Sequence, residues 1–249
     1  TGYAGAELVR LLSSHPSAEI TAVTSGRSAG KHLRTECPWL STDLVLTEFD
    51  PHSLDADVVF LCQEAGFAME HAAALSNRAK VIDLSADFRL RDPELYRKYY
   101  GREHTAPDWK AVYGMPELGF RDQIAGANLV ANPGCYPTAS ILGVLPLIRA
   151  GLARPDVPVV IDAKSGVSGA GRSKKDTEFL FSELSGGFKA YAVSEHRHVP
   201  EIEQAIGATI RFTPHLIPVP RGLHATAHVA LRGSVDLLSL YQEIGRAHV

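Results

Sequence analysis

Asp57-Val58-Val59-Phe60-Leu61-Cys62 and Lys80-Val81-Ile82-Asp83-Leu84 are two nearly unbroken apolar runs, and the residues between them, Phe67 to Ser76, have helical spacing. A strand that reads as continuous hydrocarbon, rather than alternating, is one buried on both faces. Two such strands joined by a helix predict parallel pairing, because a parallel neighbour needs a crossover to return the chain. This half of the chain is α/β.

Toward the amino end, Glu19 to Ser25 alternates as a further strand. Before it, Gly2-Tyr3-Ala4-Gly5 opens a helix on which Leu8, Leu11 and Leu12 share a face, stopping near Ser14-His15-Pro16. Toward the other end the character changes after Pro133. A helix from Tyr136 to Ala150 is followed by longer, alternating runs: Val157 to Ala163, Ala208 to Thr213 and Leu223 to Arg232. His224, Thr226 and His228 alternate with Ala225, Ala227 and Val229, the pattern of a sheet with one open face. Two domains are expected, residues 1–132 and 133–249. The second is expected to be α+β, with a mixed, largely antiparallel sheet. Both ends read as cut. No strand precedes the glycine loop, and Ile244 to Val249 spell a string that a common sequencing adapter also encodes.

The 249 residues carry a formal charge of −3, with 21% charged and 45% hydrophobic side chains. That is a globular balance with no broad basic field, which argues against nucleic acid as a partner. No apolar run reaches the roughly 20 residues that span a bilayer, and no signal peptide is visible, which argues against a membrane partner. Cys37, Cys62 and Cys135 are odd in number and lack metal-ligand spacing, as expected for a reducing, cytoplasmic setting with one special thiol and no metal.

Gly2, Tyr3 and Gly5 before a helix look like the tail of a dinucleotide loop, where backbone N–H groups approach a pyrophosphate. The next strand ends in Ser25-Gly26-Arg27-Ser28, without the carboxylate that would bind ribose hydroxyls in an NAD site. A guanidinium flanked by hydroxyls holds a 2′-phosphate instead, so Ser25, Arg27 and Ser28 favour NADP.

The strongest local signal is Asn132-Pro133-Gly134-Cys135-Tyr136-Pro137-Thr138. It places Cys135 between a short strand, Leu129-Val130-Ala131, and a helix N-terminus, where free N–H groups favour a thiolate. The same groups, with the Asn132 amide, would hold an oxyanion. Cys37 and Cys62 read as inert buried thiols. A cysteine nucleophile needs an acid/base partner, and Glu195-His196-Arg197-His198 supplies two imidazoles that point the same way from an extended segment. His196 is assigned as the acid/base and His198 as the second candidate or a substrate contact.

Seven segments in order resemble the N-acetyl-gamma-glutamyl-phosphate reductases of arginine biosynthesis. They are Thr1 to Gly5, Asp83 to Arg89, Val112 to Leu118, Asn132 to Thr138, Ser165 to Arg172, His196 to Ile202 and Phe212 to Leu216. The resemblance implies the fold of the aspartate-semialdehyde dehydrogenases: a Rossmann domain, here without its first strand, and a catalytic and oligomerisation domain. It implies that Cys135 is the nucleophile and that a loop with Ser165, Gly166, Ser168 and Gly169 lies against the nicotinamide. Ser85, Arg89, Asn132, His198 and Glu201 are expected substrate contacts, with Arg172 and Arg221 as weaker ones. A homodimer or homotetramer is implied. One departure is Gln63-Glu64-Ala65-Gly66, which keeps only the glycine of the family's usual turn.

The expected activity is NADPH-dependent reduction of an acyl phosphate through a Cys135 thioester. Two alternatives stay open on sequence. The acyl group is instead aminoadipyl, carrier-linked or aspartyl, or the Cys–His pair serves a hydrolase.

Overall fold

The structure is a computed structural model that describes residues 1–173 and 176–245. The last four residues of the Ile244–Val249 string lie outside them.

Helix α1 (Tyr3–Leu12) meets a small core of Leu33, Cys37, Leu40 and Leu46. It does so through Ala6 and Val9, not through the leucine face expected from the sequence; Leu11 is 52% exposed. Val9 and Leu11 are about 200° apart around a helix, so burying one turns the other out. Strand β1 is only Val23–Thr24, followed by helix α2 (Leu33–Glu36) and strand β2 (Leu46–Thr47), which pairs with β1 in parallel.

The two decisive apolar runs form β3 (Val58–Leu61) and β4 (Lys80–Asp83), with α3 (Phe67–Ser76) between them. Helix α4 (Pro93–Tyr100), strand β5 (Val112–Tyr113), helix α5 (Arg121–Gly126) and strand β6 (Leu129–Ala131) follow. The four strands pair in parallel in the order β3-β4-β6-β5. Val81 in β4 is fully buried, but β3 is an edge strand of this sheet and Val58 is 40% exposed, so its apolar run overstated its burial. The retained Gly66 has φ 105°. Its N–H, with those of Ala68 and Met69, donates to the buried Asp87 carboxylate, which also accepts from the Tyr96 hydroxyl. Asp87 thus closes the positive end of α3.

The second half opens with α6 (Cys135–Arg149), then β7 (Val159–Gly166), α7 (Phe181–Leu184), β8 (Lys189–Ala190), α8 (Val199–Ile206), β9 (Ile210–Ile217), β10 (Leu223–His228) and α9 (Leu237–Gly245). The sheet order is β10-β7-β9-β8. The outer pairings are antiparallel, while the longest, β7 with β9, is parallel over eight residues. Both central strands still alternate buried and exposed residues. Alternation reports an open face, not strand direction. On the covered face, Ile141, Val144 and Leu145 of α6 pack with Ile161, Ala163, Ile202 and Phe212.

No helix among the described residues is long and apolar enough to cross a membrane.

Candidate active site

The turn between β6 and α6 carries the predicted nucleophile, and buried groups hold it from behind. The Asn132 N–H donates to the Asp83 carbonyl at 2.8 Å, and the Asn132 carbonyl accepts from Arg89 Nε at 2.8 Å. A second Arg89 nitrogen donates to the Leu84 carbonyl at 2.8 Å. The Gly134 N–H donates to Glu201 Oε1 at 2.9 Å, and the Tyr113 hydroxyl donates to the same oxygen at 2.8 Å.

Cys135 is the first residue of α6 and is exposed at a pocket of about 510 Å³. Arg89, Tyr136, Ser165, Tyr191, His196 and His198 line the same pocket. Burial of the sulfur among these walls pushes the thiol above its ordinary range. The Tyr136 N–H, the Arg89 charge and the Cys135 N–H pull it down, and Glu201 opposes them. The resting group is therefore a thiol, although the helix N-terminus acts in the expected direction.

His196 and His198 are 8% and 7% exposed, with ring centroids 4.7 Å apart. Burial, and then the neighbouring Arg197, lowers His196 to about 4. Burial, with His196 second, holds His198 well below 6.5. Both rings are neutral near pH 7. The His198 backbone N–H donates to His196 Nδ1 at 3.1 Å, so the neutral His196 ring carries its proton on Nε2. His198 Nδ1 is buried and has no hydrogen-bond partner among the described residues. The segment leading into these residues contains two non-glycine residues at positive φ, Ala192 at 43° and Ser194 at 63°. The Tyr191 hydroxyl lies 3.0 Å from that of Tyr136, and both rings pack edge-on to His196.

Three expected substrate contacts turn out to face the protein. Ser85 is buried; its hydroxyl donates to Asp83 Oδ2 and accepts from the Asp87 N–H. Asn132 directs its side-chain N–H to the Pro133 carbonyl at 3.1 Å rather than to the space in front of Cys135. Glu201 has no exposed surface. In each case at least one side-chain polar atom bonds a backbone group of the protein, which composition does not reveal. Arg89 and His198 do line the pocket. Arg197, Tyr191 and Tyr136 line it too and were not singled out from sequence; only their nearness to His196 and Cys135 along the chain signalled them.

On the cofactor side, Gly2 is the exposed N-cap of α1, with no side-chain cap and open space where a Cβ would stand. Tyr3 is exposed beneath Arg221, whose Cζ is 5.9 Å from the ring centroid. Gly5 faces Cys62, which is exposed here rather than buried as expected. Past β1, Ser25 and Ser28 are buried and Arg27 is exposed. Ser165 is buried with its hydroxyl on the Gly166 carbonyl at 3.0 Å, and Ser168 and Gly169 are at least partly open to solvent. Gly166 is required, because a Cβ would lie 2.7 Å from the Val219 carbonyl oxygen. Arg172 donates to the Thr1 carbonyl at 3.0 Å and covers the Trp39 ring at 5.7 Å, tying the second half of the chain to the α1 loop. An uncapped helix N-terminus, an open glycine and a carboxylate-free strand end fit a phosphorylated dinucleotide. No group of three metal-ligating side chains occurs among the described residues.

Residues 1–127 match the model for the semialdehyde dehydrogenase NAD binding domain, and residues 135–247 that for the semialdehyde dehydrogenase dimerisation domain. The chain is 48% identical over 256 residues to an N-acetyl-gamma-glutamyl-phosphate reductase of Halorhodospira halophila, covering 98% of this chain and 74% of that one. It is 47% identical to one of Thiobacillus denitrificans over the same shares of the two chains. Among solved structures, aspartate semialdehyde dehydrogenase with NADP from Candida albicans superposes with a TM-score of 0.68 at 15% identity, over 98% of this chain and 73% of that one. The enzyme II from Vibrio cholerae gives 0.67 at 16%, over 97% and 74%. These two likenesses are of fold.

Proposed function

The chain belongs to the N-acetyl-gamma-glutamyl-phosphate reductases of the semialdehyde dehydrogenase superfamily, and from that membership we propose that it reduces N-acetyl-gamma-glutamyl phosphate to N-acetylglutamate 5-semialdehyde with release of phosphate. The reaction serves arginine biosynthesis, in the cytoplasm, within a homodimer or homotetramer. The observation that carries the reading is an exposed cysteine at a helix N-terminus, sharing one pocket with two neutral imidazoles and a guanidinium.

Gly2, Tyr3 and Gly5 hold the pyrophosphate of NADPH. Ser25, Arg27 and Ser28 hold its 2′-phosphate, and Ser165, Gly166, Ser168 and Gly169 border the nicotinamide. When bound, the reduced nicotinamide supplies a hydride to the acyl carbon.

The chain's own groups do the remaining work. The Cys135 thiol gives its proton to the histidine pair, and the sulfur attacks the acyl carbon. A C–S bond forms, the C–O bond to phosphate breaks, and phosphate departs with that electron pair and the proton. Splitting the reduction at a thioester replaces one hard step by two easier ones. Because His196 Nδ1 is occupied by the His198 N–H, its Nε2–H is the group available to the carbonyl oxygen as negative charge gathers there. The acid/base assignment narrows to holding that N–H on the oxygen by hydrogen bond, because giving the proton away would leave an imidazolate; an oxyanion donor of this kind is typically worth about 10²–10³ in rate. His198, whose Nε2 stands beside the Gly134 turn, is the second member and takes the thiol proton. Arg89 offers positive charge beside the departing phosphate. Collapse of the thiohemiacetal breaks the C–S bond and regenerates the sulfur nucleophile.

The test is NADPH absorbance on addition of N-acetyl-gamma-glutamyl phosphate, with aspartyl and aminoadipyl phosphates alongside. Turnover is expected with the first, and with Cys135→Ser it is expected to fall at least 10⁴-fold while NADPH still binds. Faster reduction of another acyl phosphate overturns the substrate, hydrolysis without NADPH oxidation overturns the reductase, and turnover by Cys135→Ser overturns the covalent route.

A further inference from the structure

Glu201 stands out among the groups the mechanism above leaves unused. It is completely buried, one of its oxygens accepts no hydrogen bond among the described residues, and it is not part of the pocket wall. Its place in the chain explains what it does. His198 is the N-cap of α8, and Glu201 is the third residue of that helix. A glutamate there ordinarily reaches back to the N-cap N–H of its own helix. In this protein that N–H is already given to His196 Nδ1. Glu201 instead crosses to another helix and accepts the N–H of Gly134, the N-cap of α6 and the residue before the nucleophile.

We propose that Glu201 is the positioning residue that sets the distance between nucleophile and acid/base, by tying the α6 N-cap to the helix turn that holds both histidines. The path is continuous. It runs from Cys135 to the Gly134 N–H, to Glu201 Oε1 at 2.9 Å, through the first turn of α8 to His198, and from the His198 N–H to His196 Nδ1 at 3.1 Å. Tyr113, on β5, fixes the carboxylate from the nucleotide-binding half by donating to the same oxygen at 2.8 Å. Arg89 Nη1 stands 3.8 Å from the other oxygen and completes the surround. The contact is tight enough to fix the pair. A Cβ on Gly134 would stand 2.6 Å from His198 Nε2, so turn and imidazole already touch. A displacement of about 1 Å between reacting groups is enough to cost about 10² in rate. Glu201 touches no reacting atom; it acts through Gly134 and the α8 turn.

This inference rests on the reductase reading, and the test separates the two. The full chain is assayed as the parent, Glu201→Gln, Glu201→Ala and Tyr113→Phe. Steady-state kinetics are measured with N-acetyl-gamma-glutamyl phosphate, and the rate of Cys135 carboxamidomethylation by iodoacetamide is followed by mass spectrometry. Glu201→Ala is expected to lower kcat about 100-fold with KM changed less than threefold, the mark of lost alignment rather than lost binding. Glu201→Gln keeps an oxygen to accept both bonds and is expected to return to within about tenfold of the parent. Tyr113→Phe is expected to fall between them, and it carries the test should Glu201→Ala fail to fold. Alkylation of Cys135, which needs no acyl phosphate, is expected to follow the same order. Equal kcat in Glu201→Ala and parent, a glutamine variant as slow as the alanine one, or an unaffected Tyr113→Phe overturns the positioning role. A parent that does not turn over at all sinks the reductase reading, and the alkylation order then decides the positioning role by itself.

Discussion

The first turns of α1 and α6 both begin behind a glycine N-cap, Gly2 and Gly134, so neither helix has a side-chain cap from its N-cap residue. Around them the two sites are opposites. Gly2 is exposed, and a Cβ there would meet nothing within 4 Å. Gly134 is buried, and a Cβ there would crowd His198 and Arg89 at 2.6 and 3.0 Å. The same local grammar, glycine then helix, serves two needs. One end is open, with the room that the proposed pyrophosphate needs to reach its N–H groups; the other is packed, as the proposed nucleophile beside it requires.

The largest expected effect comes from filling the crowded end. The Gly134 backbone, φ −67° and ψ 162°, suits any residue, so Gly134→Ala acts only through crowding of His198 and Arg89. A loss in kcat of about 10²–10³ is expected, from the displaced imidazole. Gly2→Ala should leave the unfolding midpoint where it is, since its Cβ enters open space. Urea unfolding of both variants with steady-state kinetics of the first checks the contrast; equal behaviour would erase it.

The contrast also marks how far the sequence could be read. Parallel β3 and β4 with α3 between them were legible because buried strands and a crossover helix leave a period in the residues themselves. So was the place of Cys135, at the first turn of a helix behind a short strand, because a glycine between prolines marks that strand-to-helix turn. The tethers were not legible. Glu201 and Gly134 are 67 residues apart, and Tyr113 and Glu201 are 88 apart, so no local pattern joins them. Ser85, Asn132 and Glu201 sit in the right segments, but each spends at least one side-chain polar atom on a backbone group of the scaffold, and no local pattern says which. The mixed, largely antiparallel sheet of the second half was legible as well, but not which of its pairings is the parallel one. Alternation in β7 and β9 recorded an open face, and their parallel pairing comes from the α8 crossover between them.

A smaller effect is expected at the open end. Arg27 is exposed beyond β1, beside the buried hydroxyl-bearing Ser25 and Ser28. In the assignment made above it faces the 2′-phosphate, and one charge-assisted hydrogen bond is worth about 1.5–3 kcal/mol. At an exposed position the lower end applies. Arg27→Ala should therefore reduce the preference for NADPH over NADH about tenfold and leave kcat with saturating NADPH in place. Competing dissociation constants for the two cofactors measure it, and an unchanged ratio moves the phosphate site elsewhere.

The smallest effect is electrostatic and belongs to the closed end alone. His196 is buried and neutral, with its folded value at about 4 against an ordinary 6.5. The unfolded chain binds the proton first, so folding loses stability as pH falls from 6.5 toward 4 and has all of this contribution above 6.5. Asp83 runs the other way. Burial raises it to about 6 from 3.8, so its contribution is present below 3.8 and is lost as pH rises through 6. The two oppose each other in the parent, but Asp83 cancels in a comparison with His196→Gln. Between pH 7 and 5.5 the parent should lose about 1 kcal/mol relative to that variant by urea unfolding. A flat difference would mean that the folded protein protonates His196 as readily as the unfolded chain does. Nδ1 would then have to give up the His198 N–H, and with it the bond that fixes the proton on Nε2.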